Sequence, residues 1–143
     1  MARGIPSEVI RHFRAVPLFR DVSKKGLRSI VSAATEVDVG AGKELVREGE
    51  FGRHLYVITG GEALVTRGGR RLGRLGPGDF FGELAFLDGA PRSATVTART
   101  DMQVMVLGPR EFDVVVEREP AVAKRLLATM AKRVRQEDRL AKS

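Results

Sequence analysis

Cysteine is absent from this 143-residue chain, which excludes disulfides, thiolate metal sites and iron–sulfur clusters of the cysteine-ligated kind. Histidine is nearly absent. His12 and His54 are the only strong neutral metal ligands, and they read as surface or structural residues; no metal and no cofactor is expected. An enzyme on a small barrel would need a cluster of His and carboxylate ligands, so no enzymatic activity is expected either. No stretch approaches the roughly 18 apolar residues that cross a membrane, and the opening MARGIPSEVIRHF has no signal-peptide core. The expectation is a soluble, cytoplasmic protein that does not engage a membrane. Internal repeats and low-complexity segments are missing too. Length then sets the prior of one domain, 1–143, able to bury about two-thirds of its unfolded surface without staples.

What the chain does have is positive charge, with 25 Lys and Arg against 18 Asp and Glu for a net +7. A nucleic-acid reader would concentrate it on one recognition element. Here it is spread over the N-terminal part, over Arg67, Arg70, Arg71 and Arg74, and over the last helix. A solvated basic surface is the simpler reading, and DNA binding by this chain alone is not expected. Such a surface still speeds encounter with an anionic ligand.

Periodicity gives a helix, barrel, helix order. Residues 6–15 and 23–34 carry helical spacing, with Pro6-Ser7 and Ser23 as start signals. Val16, Pro17, Leu18 and Phe19 form an apolar connector. From 36 to 108 the chain reads as short strands: ATEVDV, KELVRE, HLYVI, EALVTR, RRLGRL, ATVTAR and MQVMVL. Gly68-Gly69 is a two-residue hairpin signal, and the whole suits a jelly-roll or Greek-key barrel. Beyond 109 the pattern is helical again, with a short helix over 110–118 and a longer one from Pro120 to about 140. On the latter, Val122, Leu126, Met130 and Val134 with Leu127 make an apolar stripe.

The stretch 81–96, FGELAFLDGAPRSATV, is the most informative. Gly82 lets a ligand approach the main chain, and Glu83 offers an acceptor-only side chain to a ribose hydroxyl. Leu84, Ala85, Phe86 and Leu87 read as one helical turn, ended by Asp88-Gly89, whose opening amides suit an anion. Pro91 stiffens the approach to Arg92, whose planar fork suits a phosphate, and Ser93 adds a hydroxyl. Taken singly, each piece is an ordinary turn, or a surface ion pair of small value.

Together they resemble the phosphate-binding cassette of the cyclic nucleotide-binding domain family, which occurs in catabolite activator protein, in protein kinase A regulatory subunits and in cyclic nucleotide-gated channels. The resemblance extends to VPLFRDVS and to FGRHLYVITGGEALV. It implies a mainly β fold: a jelly-roll (double-stranded β-helix) barrel with N-terminal helices (1–35), a barrel (36–108) holding the cassette (80–96), and C-terminal B and C helices (109–143). It also implies ligand contacts from Gly82, Glu83, Leu84, Ala85, Arg92 and Ser93, with Glu83 on the ribose 2′-hydroxyl and Arg92 on the cyclic phosphate. The amides of Gly82, Leu84 and Ala85 would meet sugar and phosphate oxygens. Ser93, where relatives that take cyclic GMP tend to carry Thr, leans towards cyclic AMP while leaving cyclic GMP open.

Two departures bear on output. In catabolite activator protein a Thr-Ser pair on the long helix meets the adenine, and Glu137-Asp138 stand there in this chain. No helix-turn-helix follows the last helix. Two readings remain: a stand-alone sensor acting on a separate protein effector, favoured by the opening Met and charged ending, and an effector-domain piece or relative of a transcriptional regulator of the catabolite activator type. The residues 112–120 with the last helix are the expected two-state element. That helix packs on its own domain, closes over the base, or pairs in a homodimer.

Overall fold

The N-terminal helical spacing becomes α1 (Ser7–Arg14) and α2 (Lys24–Ala33) in the computed structural model, which describes residues 6–82, 91–128 and 131. Ser23 caps α2 as expected, its side chain accepting from the Gly26 amide at 3.0 Å. The Pro6-Ser7 signal works differently: Pro6 is the cap residue, makes no side-chain bond, and leaves Ser7 already helical. Between the helices a 3-10 turn (Pro17–Phe19) turns the apolar connector inward, with Val16, Leu18 and Phe19 all buried. Phe13 and Phe19 stack there at 6.2 Å. The Arg14 guanidinium donates to the carbonyls of Phe19, Arg20 and Val22 and so holds the turn closed.

Eight strands follow: β1 (Thr35–Val39), β2 (Glu44–Val46), β3 (Leu55–Gly60), β4 (Ala63–Arg67), β5 (Arg70–Leu75), β6 (Phe80–Phe81), β7 (Thr95–Ala98) and β8 (Met102–Leu107). They form two antiparallel four-stranded sheets of order β1-β8-β3-β6 and β2-β7-β4-β5, a jelly roll. All seven expected strands are present, and β6 is the addition. The Gly68-Gly69 turn joins β4 to β5 with φ of +57° and +78°, the positive pair that such a turn requires.

Side-chain alternation assigns two cores. Tyr56 and Ile58 of β3 face Ala63, Val96, Ala98, Met102 and Val104 between the sheets. Leu55 and Val57 point the other way, with Leu107, onto Phe13, Phe19, Leu27, Ile30 and Phe112 of the helical layer. Strand β3 is therefore covered on both faces, which is why LYVI reads as a continuous apolar run, whereas β1 at the edge of the same sheet is largely exposed.

After β8, Gly108 precedes α3 (Pro109–Arg118), which starts one residue earlier than the spacing suggested. Glu119 leaves helical geometry at φ −119° and ψ 90°, and residues 120–128 resume as α4 with Pro120 at its first position. Val122 is fully buried in the helical core, and Leu126 packs against it. Leu127, counted in the stripe, is instead 68% exposed: one residue on from Leu126 is about 100° further round a helix. Met130, Val134, Glu137 and Asp138 lie outside the described residues. Arg125 Nε meets Asp21 Oδ2 at 2.7 Å and ties α4 to the loop before α2. Among the described residues no helix is long and apolar enough to cross a membrane.

Candidate functional site

The antiparallel register of β3 with β6, Tyr56 opposite Phe81, delivers Gly82 to the mouth of the barrel beside the His54 carbonyl. A Cβ at Gly82 would lie 2.3 Å from His54 O and 2.7 Å from Arg92 Nη1, and its φ is +92°. Both the contact and the backbone conformation therefore require glycine. Gly82→Ala is accordingly expected to displace Arg92 and to abolish detectable ligand binding in calorimetry, with a thermal melt reporting what the displaced His54 backbone costs the core at Leu55.

Arg92 reaches this place from the other direction. Its amide donates to Glu50 O at 2.8 Å, and its carbonyl accepts from the Gly49 amide at 2.9 Å. Glu48 N adds a bond to Thr95 Oγ1 at 3.0 Å, so the loop between β2 and β3 is laced to the irregular segment before β7 and to the first residue of β7. The half-buried Arg92 side chain then donates to Gly82 O at 3.5 Å and to His54 O at 3.3 Å. Its Cζ stands 6.0 Å from the centre of the Tyr56 ring, which stacks on Phe81 at 4.7 Å and 5°. Burial raises the Tyr56 phenol above its ordinary value, and the Arg92 charge acts the other way. Gly52 completes the seat, since a Cβ there would come within 3.1 Å of Arg92 Nη2.

These are long contacts to neutral carbonyls. An anionic oxygen competes well with them, because charge-assisted bonds are shorter and roughly twice as strong. Of the residues expected from sequence, the structure brings Gly82 and Arg92 into contact and leaves Ser93 exposed beside them, its carbonyl accepting from Arg67 Nε at 2.8 Å. Glu83, Leu84 and Ala85, with the turn 84–87 and Asp88-Gly89, lie outside the described residues.

Gly52, the His54 carbonyl, Tyr56 and Arg67 were not foreseen. Gly52 and the His54 carbonyl act through the backbone, which leaves no residue-type signal, and only register brings the Tyr56 ring to Arg92. Arg67 was legible: two places past Val65 on an alternating strand, it shares that residue's face. His12 and His54 stand apart, on α1 and before β3, and His12 Nδ1 is buried without a hydrogen-bond partner. Among the described residues no group of three or more His, Asp or Glu could hold a metal ion.

Comparison with known proteins agrees with this geometry. The family model described as the cyclic nucleotide-binding domain matches residues 36–119, more than half of the chain. A cyclic nucleotide-gated potassium channel of Rhizobium etli is 35% identical over 119 residues, which are 83% of this chain and 33% of the channel. Among solved structures, the N-terminal domain of a transcriptional regulator from Streptomyces coelicolor superposes with a TM-score of 0.75 at 33% identity, covering 88% of this chain and 94% of that one. The regulatory domain of Toxoplasma gondii PKA, in a co-crystal with cAMP, gives 0.71 at 35% identity over 76% of this chain and 43% of its own. The chain thus spans about a third of the channel's length. A jelly roll with Gly82 and Arg92 joined at its mouth, the family match and these neighbours lead to one conclusion: the chain belongs to the cyclic nucleotide-binding domain family.

Proposed function

We propose that the chain is a non-catalytic sensor that binds a cyclic nucleotide, cyclic AMP in preference to cyclic GMP, and transmits occupancy through its C-terminal helices to a protein effector in the cytoplasm. The observation that carries the reading is the Arg92 guanidinium seated at the barrel mouth against Gly82 and His54. In this reading Arg92 takes the cyclic phosphate and Glu83 the ribose 2′-hydroxyl, while the amides of Gly82, Leu84 and Ala85 take the remaining oxygens and Ser93 lies beside phosphate and base. Residues 1–143 act as one domain. Families of this kind regulate rather than catalyse, and no catalytic cluster is needed for the role.

Calorimetry with cyclic AMP, cyclic GMP and linear AMP tests it. Cyclic AMP should bind tightest and linear AMP by far the weakest, because the second negative charge of the open phosphate would be desolvated without a partner. Equal affinity for linear and cyclic AMP would remove phosphate-ester recognition from the site.

A second reading draws on the Streptomyces coelicolor domain, whose length this chain nearly matches and which is the N-terminal domain of a transcriptional regulator. The chain is then the effector part, or a relative, of such a regulator. That reading predicts the same ligand and adds DNA affinity, in the chain or its full-length parent, that falls steeply with salt.

A further inference from the structure

In its first turn α2 carries Gly26, at a place where helix propensity alone favours alanine. A neighbouring side chain supplies the reason. A Cβ built on Gly26 would overlap Glu119 Oε1 and lie 2.7 Å from Glu119 Cδ, so the Glu119 carboxylate rests against the bare backbone of α2. It does so where the start of α2 meets the end of α3, in a cleft of about 390 Å³ that Ile30 and Val115 also line. Gly26 is the socket, and Glu119 fills it.

Charge favours the same seat. The amides that open a helix carry a partial positive charge, which a carboxylate stabilises. α2 has no acidic residue in its own first turn and begins Lys24-Lys25, while Glu119 makes no ion pair among the described residues. The negative charge that this helix end lacks in sequence therefore comes from another element. Glu119 is also the residue from which two helices hang. Its amide donates to Val115 O at 2.8 Å and closes α3, and its carbonyl accepts from the amides of Val122 at 2.9 Å and Ala123 at 3.4 Å and opens α4. Its own backbone, at φ −119° and ψ 90°, is extended between them, so fixing its side chain on α2 fixes the joint. A second tie, Arg125 to Asp21, lands just before the same helix start.

We propose that Glu119 is a positioning residue for α4: seated at Gly26, its carboxylate holds the joint in the arrangement in which α4 packs on the helical core. Its bearing on ligand affinity rests on the cyclic nucleotide reading above. A joint held in advance spares the ligand part of the ordering of α4, so the seat raises affinity without touching the ligand.

Amide exchange without ligand and calorimetry with cyclic AMP test it in the unaltered chain, in Gly26→Ala, Glu119→Gln and Glu119→Ala, and in Glu119→Ala with Gly26→Ala added. Gly26→Ala expels the side chain, and Glu119→Gln keeps its length without its charge. Each should speed exchange in residues 120–128 by about two- to fivefold while β8 keeps its rates, and should weaken cyclic AMP by a similar factor, the span that a carboxylate at a helix N-terminus supplies. Val22 Cγ1 would stand 2.9 Å from the same Cβ and must give way in either background, so the cycle isolates Glu119: in the Glu119→Ala chain the added Gly26→Ala should leave exchange at 120–128 unchanged. An equal effect of Gly26→Ala with and without Glu119 overturns the assignment, because the disturbance then belongs to Val22 and α2, and no effect at all overturns it too. So does faster exchange spread evenly over β8, the mark of general destabilisation. Faster exchange at 120–128 with unaltered cyclic AMP affinity would make Glu119 a brace with no part in sensing and equally overturns it. If cyclic AMP fails to bind the unaltered chain, the cyclic nucleotide reading falls by itself, and the exchange cycle still decides whether Glu119 positions α4.

Discussion

Arg92→Ala is expected to weaken cyclic AMP binding by roughly 2–5 kcal/mol, the usual result of truncating one partner of a buried, hydrogen-bonded charge pair. In affinity this is about thirtyfold to a few thousandfold. The fold is expected to survive. The bonds that lace this segment to the β2–β3 loop run through the backbone of Arg92, from its amide to Glu50 and to its carbonyl from Gly49, and alanine keeps both. Among the described residues the side-chain hydrogen bonds lost are two long ones, to Gly82 O and His54 O. A hydrogen bond contributes a net of about 1 kcal/mol, and the site lies at the barrel mouth, where water can take its place.

Arg92→Lys separates charge from shape. A lysine retains the positive charge but not the planar pair of donors, and it should recover only part of the affinity. Glu83→Ala should cost less than either, since it removes one contact to a neutral hydroxyl. Titration calorimetry and a thermal melt read both sides of the argument. If Arg92→Ala unfolds the ligand-free chain, or leaves cyclic AMP affinity unchanged, the guanidinium is a structural prop and the phosphate is held elsewhere.

The barrel was legible because its signals are local. Seven strands announced themselves by alternation or apolar runs between Gly and Asp turns, and Gly68-Gly69 fixed one hairpin. β6 escaped because Phe80 and Phe81 are two residues between Gly78-Asp79 and Gly82, too few to show a period; only pairing with Tyr56 and Val57 makes them a strand. The seat of Arg92 escaped for a related reason. Apart from Gly82, 10 residues away, its partners stand about 40 residues away in sequence, and two of them are a carbonyl and a missing side chain. Composition and periodicity carried the fold class, whereas the roles of the cassette residues came from resemblance to a family. Register then supplied what neither could, the meeting of Arg92 with Gly82 and of Arg67 with Ser93.

The C-terminal helix is where occupancy is expected to be felt. Pro120 cannot continue the backbone ladder of α3, and it biases the residue before it towards extended geometry. Glu119 adopts that geometry between two helices and so forms a one-residue joint. On the far side of the joint, α4 is held by Val122, buried in the helical core with Phe112 and Val115, by Leu126, and by Arg125 on Asp21. The hydrogen bond from Arg125 lowers the Asp21 carboxyl below its ordinary 3.8, against an opposing effect of desolvation. A carboxyl shifted this way adds stability above its unfolded value and loses it as pH falls through the lowered one. The tie is therefore intact throughout the neutral range and opens only in acid. Saturating cyclic AMP at neutral pH should slow amide exchange in residues 120–128 as well as around Gly82 and Arg92, because a better-packed helix opens less often. Truncation before Ala121 should leave a folded barrel that binds the ligand roughly 5- to 150-fold more weakly, the span of a typical coupling between two sites. Burial of Val122 is worth about 1.5–3 kcal/mol, so the truncated chain should be compared at a temperature where its own melt shows it folded. Unchanged exchange in 120–128, together with full affinity after truncation, would make the helix a passive cover for the core and would leave the sensor without a transmitting element on this side of the barrel.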